Sequence, residues 1–309
     1  MEPWCFVHVS DIHVGSPKSF RFQPAWNDQW ATARDQIIGC KPDLLLLGGD
    51  LTRDGGLEGH TYELEQIKAD LDALPFPYRV TPGNMDTGNK HTDVQGASGG
   101  PRDDLDLNLT SDQLRRFTSV FGPHCWTFVH KNTRFSSFCD MVAGSGLPEE
   151  EALWRWLEEQ KGQPRAQYHV WLIHSALFVD DLHEPNFDIT DPDRYRDWYF
   201  AIDEPHRSRI LDVLKATGAT LVLSGHVHCR RSRCAEGIRF DIAPSTAFAQ
   251  WGDRWPDGDP TRGFVRYEVS EDGITSTFVP LREISDKKGY GPGGHPPPEL
   301  RDYSIAWEQ

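Results

Sequence analysis

Nowhere does the chain carry the ~18 consecutive apolar residues that a membrane-spanning helix requires. No basic stretch followed by an apolar one opens it either, since "MEPWCFVHVSDIH" goes directly into strand-like residues. The six cysteines (Cys5, Cys40, Cys125, Cys139, Cys229, Cys234) contain no CxxC pair and no framework spacing. Their scatter excludes a disulfide-stapled scaffold and predicts a reducing, cytoplasmic setting, with Cys229 and Cys234 as hairpin or surface thiols rather than a local bridge. Positive charge is also scarce: 32 Lys and Arg stand against 47 Asp and Glu, a formal net charge of -15. A nucleic-acid partner is therefore disfavoured. Oligomeric state is not legible.

What is present suffices for a large core. The 309 residues are 38% hydrophobic and include 11 tryptophans, which argues against disorder and for one large domain over residues 1–280. Short apolar runs each end in a polar cluster: residues 5–13, 43–50, 78–84, 168–174 and 219–226. Helical patterns separate them at 26–38, 58–74, 111–121, 149–160 and 205–217, with acids early in the fourth. Strands alternating with helices predict an α/β fold. Residues 87–110 are polar and glycine-rich and read as a long loop; 281–309 form a Pro/Gly-rich tail whose final "YSIAW" is apolar enough to dock on the body.

Chemistry gathers at the ends of the runs. Asp11 and His13 are two apart at a strand end, where alternation aims both to one side. Asp50 ends "LLLLGGD", Asn84 follows the third run, His174 ends the fourth, and His226 and His228 form "GHVH" after the fifth. Any one of these has a bland reading as a strand-capping polar residue. Together they place two carboxylates, four imidazoles and an amide just past the carboxyl ends of five strands, where open α/β sheets gather ligands. Donors of this kind without thiolate favour Mn, Fe or Zn. Seven are too many for one ion and suit two, if one carboxylate bridges.

The series DIH, GGDLTRDG, GNMD, a strand ending in His174, and GHVH resembles the calcineurin-like metallophosphoesterases, whose pattern is D-x-H, G-D, G-N-H-[DE], H and G-H-x-H. More loosely, GGDLTRDGG and LIHSALF resemble the branch holding class III cyclic-nucleotide phosphodiesterases. The resemblance implies a four-layer α/β sandwich of two mixed sheets flanked by helices. It implies that Asp11, His13, Asp50 and His228 hold one metal ion and that Asn84, His174 and His226, with bridging Asp50, hold the second. Asp50, Asn84 and His226 then also have catalytic roles. The expected reaction is attack on a small phosphodiester, such as a nucleotide, by hydroxide between two ions that lower a water pKa from 15.7 to about 7. A phosphomonoesterase and a weakly catalytic metal-binding scaffold are the alternatives. No tyrosine follows Asp50 at the spacing of a purple Fe(III) site.

One position departs from the pattern. The residue at 85, histidine in the family, is methionine, and a thioether has no proton to give. Asn84, Arg53 and His91 are the expected substrate contacts, with a surface salt bridge as the bland alternative for Arg53. His91, and less directly His183, are candidate replacement donors by their nearness along the chain. Trp251 and Trp255 read as packing beneath a loop rather than as a nucleobase platform. Asp180, Asp181, Glu184 and Asp188 read as a solvated acidic rim.

Overall fold

The computed structural model describes residues 2–19, 22–94, 107–191, 193–250 and 255–289. The interior of the long loop (95–106), Trp251 and the tail from Tyr290 onward lie outside the described residues.

Among the described residues, eleven strands form two mixed sheets. The first has five strands in the order β11 (Ile274–Pro280), β10 (Gly263–Val269), β1 (Trp4–Val9), β2 (Leu44–Leu47), β3 (Tyr78–Val80). The second has six: β4 (Cys125–His130), β5 (Thr133–Phe138), β6 (Tyr168–Leu172), β7 (Leu221–Ser224), β9 (Ile238–Ile242), β8 (Arg231–Ala235). Within the first, β1, β2 and β3 are parallel; within the second, β5, β6, β7 and β9 are. The remaining pairings are antiparallel.

Period-2 alternation shows why the central runs are apolar throughout. In β2, Leu44 and Leu46 face an inter-sheet core with Phe6, Phe135, Val170, Leu172, Leu221 and Leu223. Leu45 and Leu47 face the opposite way, onto Trp30 and Ile37 of α1 (Pro24–Cys40) and Leu64 and Ile67 of α2 (Thr61–Asp72). In β6, Trp171 points outward to Leu153 and Leu157 of α5 (Pro148–Lys161) and Ile210 and Leu214 of α7 (His206–Thr217). Three apolar layers thus separate helices, sheet, sheet and helices, the four-layer sandwich expected. A strand buried on both faces has no use for polar alternation.

Local signals set the helix ends. Pro148 opens α5 ahead of three glutamates, matching the helix dipole. Thr110 and Gln113 form a reciprocal capping box on α4 (Ser111–Phe121), with Gln113 N–H to Thr110 Oγ1 at 3.2 Å and Thr110 N–H to Gln113 Oε1 at 2.8 Å. Two shorter helices, α3 (Asn84–Thr87) and α6 (Tyr195–Phe200), flank the polar ends of the strands. The described start of the tail lies along α1: Arg282 N–H donates to Gln36 Oε1, and Gly289 N–H donates to Gln23 Oε1 just ahead of the helix.

Candidate metal centre

β1 ends at Val9, earlier than its apolar run suggests, and the chain then kinks. Asp11 and His13 have φ of 55° and 47°. The kinked loop, not strand alternation, therefore turns both side chains to one place, which corrects the geometric reason expected from sequence. The loop is zipped to the one after β2: Asp11 N–H donates to Gly49 O, His13 N–H to Asp50 O and Val14 N–H to Leu51 O, each at 3.0 Å. Asp50, His226 and His228 share the left-handed conformation, at φ 50°, 65° and 55°. Such conformations cost of order 1 kcal/mol or more each and persist where the surroundings over-determine them. Glycines make the required room. A Cβ on Gly83 would collide with the backbone N and Oδ1 of Asp50, and one on Gly225 with Ser10 Oγ and Asp11 Oδ2.

All seven predicted side chains come together and are buried, none more than 6% exposed. They fall into two groups. Asp11, His13, Asp50 and His228 present ligand atoms within 4.8 Å of one another, and so do Asp50, His174 and His226. Asn84 joins the second, its Oδ1 3.1 Å from His174 Nε2. Asp50 belongs to both: Oδ2 is 3.7 Å from His13 Nε2 and Oδ1 is 3.4 Å from His174 Nε2. Each group draws on both sheets, with Asp11, His13, Asp50 and Asn84 from the first and the other three histidines from the second.

The outer ring nitrogens define which inner ones carry lone pairs. His174 Nδ1 lies 2.7 Å from the Gly48 carbonyl, His226 Nε2 3.0 Å from that of Tyr199, and His228 Nδ1 3.0 Å from that of Phe248. A carbonyl only accepts, so each outer nitrogen bears the proton. His174 Nε2 and His226 Nδ1 then face each other at 3.1 Å, and His13 Nε2 faces His228 Nε2 at 3.2 Å. Asp11 Oδ1, fully buried, has no hydrogen-bond donor. Converging lone pairs and an orphaned carboxylate oxygen need a positive charge between them. Electrostatics agree. Burial disfavours charge on Asp50, yet His174 and then His13 hold its carboxyl below the usual carboxylate range. Burial equally disfavours charge on His174, yet Asp50, then Asp11 and Asp140, raise its pKa, so that without an ion a proton on this ring answers the same demand for positive charge. The donor set fits metal ions.

A family model for calcineurin-like phosphoesterases matches residues 6–230, most of the chain. The chain belongs to that family. Among curated relatives, the zebrafish (Danio rerio) protein named serine/threonine-protein phosphatase CPPED1 is 25% identical, over 92% of this chain and 87% of its own length. A probable cyclic nucleotide phosphodiesterase of Rhodococcus erythropolis is 23% identical, over 89% of this chain and 83% of its own. Among solved structures, the purple acid phosphatase PPD1 from yellow lupin (Lupinus luteus) superposes with a TM-score of 0.58 at 14% identity. It covers 93% of this chain, which spans about half (53%) of the lupin enzyme.

The family's metal dependence accords with the clustered donors, and its motif residues explain the surrounding braces. Asp86, also fully buried, accepts from Leu51 N–H, Thr52 N–H, Thr52 Oγ1 and Gly83 N–H at 3.0–3.2 Å, tying the GNMD turn to the loop after β2. Met85 sits half-buried, its Sδ 3.4 Å from Asn84 Nδ2. Arg53 holds its guanidinium 5.4 Å above the Trp26 ring, which in turn lies 5.8 Å from the His13 ring.

Other candidates are engaged elsewhere or exposed. His91 Nε2 pairs with Asp93 at 2.9 Å, and His183 is exposed on the loop after β6. Trp255 is 1% exposed beneath Arg231, so it packs, as expected. Glu184 is not a solvated rim residue: it is buried, accepts from the Val179, Asp180 and Asp181 amides and pairs with buried Arg207. Asp180 pairs with Arg231, while Asp181 and Asp188 are exposed. Sequence reasoning missed Tyr199 and Asn89, both of which hold the Asn84 amide. The only available signal for Tyr199 was the aromatic density of "YRDWYF".

Proposed function

We propose that the chain is a dinuclear metal-dependent phosphoesterase acting on a small phosphodiester. The observation that carries this reading is Asp50 placed between the two donor groups, one oxygen toward His13 and the other toward His174. Asp11, His13, Asp50 and His228 hold one ion; Asp50, Asn84, His174 and His226 hold the second. Carboxylate, amide and imidazole donors suit Mn, Fe or Zn. Two such ions, when bound, acidify water and neutralise charge on the non-bridging oxygens of a phosphate.

The chain's own residues do the rest. Backbone carbonyls lock three imidazoles in the tautomers that ligate. Arg53, on the His13 side, is the cation placed to meet phosphate. Asn84 turns its carbonyl oxygen inward and serves at once as ligand and as phosphate neighbour. Met85 has no proton to donate, so the favoured substrates carry a leaving group that departs without acid help; diesters with low-pKa leaving groups meet that demand.

A phosphomonoesterase is the second reading, favoured by the name of the zebrafish relative. Assay with chromogenic mono- and diesters in Mn²⁺ separates the two. A preference for monoesters with poor leaving groups would reverse the order, and no turnover with any metal would leave only a metal-binding scaffold. Retention of all seven donors speaks against the scaffold.

A further inference from the structure

The amide of Asn84 is a ligand only through Oδ1. Rotated by half a turn it would present N–H donors to a cation. Something must therefore choose its orientation, and the choice is made from outside the motif. Asn84 Nδ2 donates to Tyr199 Oη at 2.8 Å and to Asn89 Oδ1 at 2.9 Å. These two oxygens are the strong acceptors for the amide's two hydrogens, with Met85 Sδ, a weak acceptor, farther off at 3.4 Å, and they leave Oδ1 toward His174.

Tyr199 acts on His226 as well. Its backbone carbonyl takes the outer ring nitrogen at 3.0 Å, and its ring lies 4.7 Å from the imidazole. The helix that carries it, α6, is fixed to the segment leaving β6: Ala201 bridges Ala176, and Ile202 N–H donates to the Ala176 carbonyl at 3.2 Å. Ala176 is two residues past His174. One residue thus braces two donors of the second group from a helix anchored beside the third. His228, of the first group, is oriented instead by Phe248.

We propose that Tyr199 is a positioning residue for one cation position, that of Asn84, His174 and His226, and not for the position of Asp11, His13 and His228. This rests on the two-ion reading above. Its phenol sets the Asn84 amide, and its main chain sets the His226 tautomer. Loss of the hydroxyl alone releases the amide while keeping the ring and the carbonyl in place.

The test is Tyr199→Phe in the full chain, titrated with Mn²⁺ by calorimetry and by electron paramagnetic resonance. Wild type is expected to take two ions and give an exchange-coupled spectrum. In the variant one step weakens by about 10–100-fold, as outer partners of metal ligands typically do, and the other is unchanged. At metal concentrations that saturate wild type, the coupled spectrum then gives way to an isolated six-line signal. Asn89→Ala, which removes the second acceptor from the same amide, weakens the same step and serves if the phenylalanine variant does not fold. Two unchanged steps in both variants, or both steps weakened alike, overturn the proposal. A wild type that binds one ion overturns the two-ion reading itself and the proposal with it.

Discussion

The backbone N–H of Met85 donates to Asp50 Oδ1 at 2.8 Å. The residue that departs from the family motif thus supports the shared carboxylate through its main chain, which any side chain would supply equally. The departure removes a proton donor, and its thioether touches the candidate site only at the amide nitrogen of Asn84, not at a donor atom. Met85→His is accordingly expected to bind metal as wild type does and to raise turnover selectively for esters with poor leaving groups. General-acid assistance is worth about 10²–10⁴-fold, so a gain of at least ~10-fold on such esters, with little on activated ones, is the expected outcome. A plot of log kcat against leaving-group pKa for both proteins checks it; parallel lines would contradict it.

Asp50→Asn keeps the shape and removes the negative charge shared by both groups. Metal content, measured by elemental analysis after saturation and desalting, should fall below two per chain. Diester turnover should drop by at least ~10²-fold, beyond the effect expected of an outer-shell change. Retention of two ions would show that Asp50 does not bridge.

Because each donor group spans both sheets, bound ions cross-link the layers. A chelator should lower the melting temperature, and Mn²⁺ should restore it in a concentration-dependent way. A ligand at 100 times its Kd stabilises by about 2.7 kcal/mol per site. Calorimetric scans with and without chelator measure this, and identical melting curves would count against metal binding altogether.

His91 is paired with Asp93, and His183 lies exposed beyond β6. His91→Ala and His183→Ala should each keep kcat and its pH profile within about twofold, as surface changes away from the site do. A collapse of the acidic or basic limb in either variant would restore that histidine as a proton donor.

His169, 3% exposed in β6 against Ser136 Oγ, has its pKa lowered to about 4, chiefly by burial. The native ring is neutral, whereas in the unfolded chain it takes a proton below pH ~6.5. Its stabilising contribution is therefore complete above pH ~6.5 and is lost as pH falls toward 4, by about 3 kcal/mol in all. Denaturant midpoints for wild type and His169→Gln across that range test the sign: the variant's curve should be the flatter one.

The sequence shows the central strands plainly because burial on both faces makes them uniformly apolar, and it shows the site because motif residues cluster at their ends. Five of five helical patterns correspond to helices within a few residues. The outer strands were not separable by pattern. β5 carries Thr133, Arg134, Ser136 and Ser137 in a fully buried run, and β8 and β11 have exposed, polar faces. The Asp11–His13 geometry was also illegible, since a left-handed kink leaves no periodic trace. Tyr199 reaches Asn84 across 115 positions of chain, a tertiary contact that no local pattern encodes.

The left-handed backbone at Asp11, His13, Asp50, His226 and His228 has a consequence for how this centre is dissected. Aspartate, asparagine and histidine are, after glycine, the side chains that tolerate such torsions best. An alanine scan would therefore add conformational penalty to donor loss and exaggerate each position. Asp to Asn, which keeps the shape, and His to Asn, which keeps the torsional tolerance, reduce the first contribution and so report donor loss more directly.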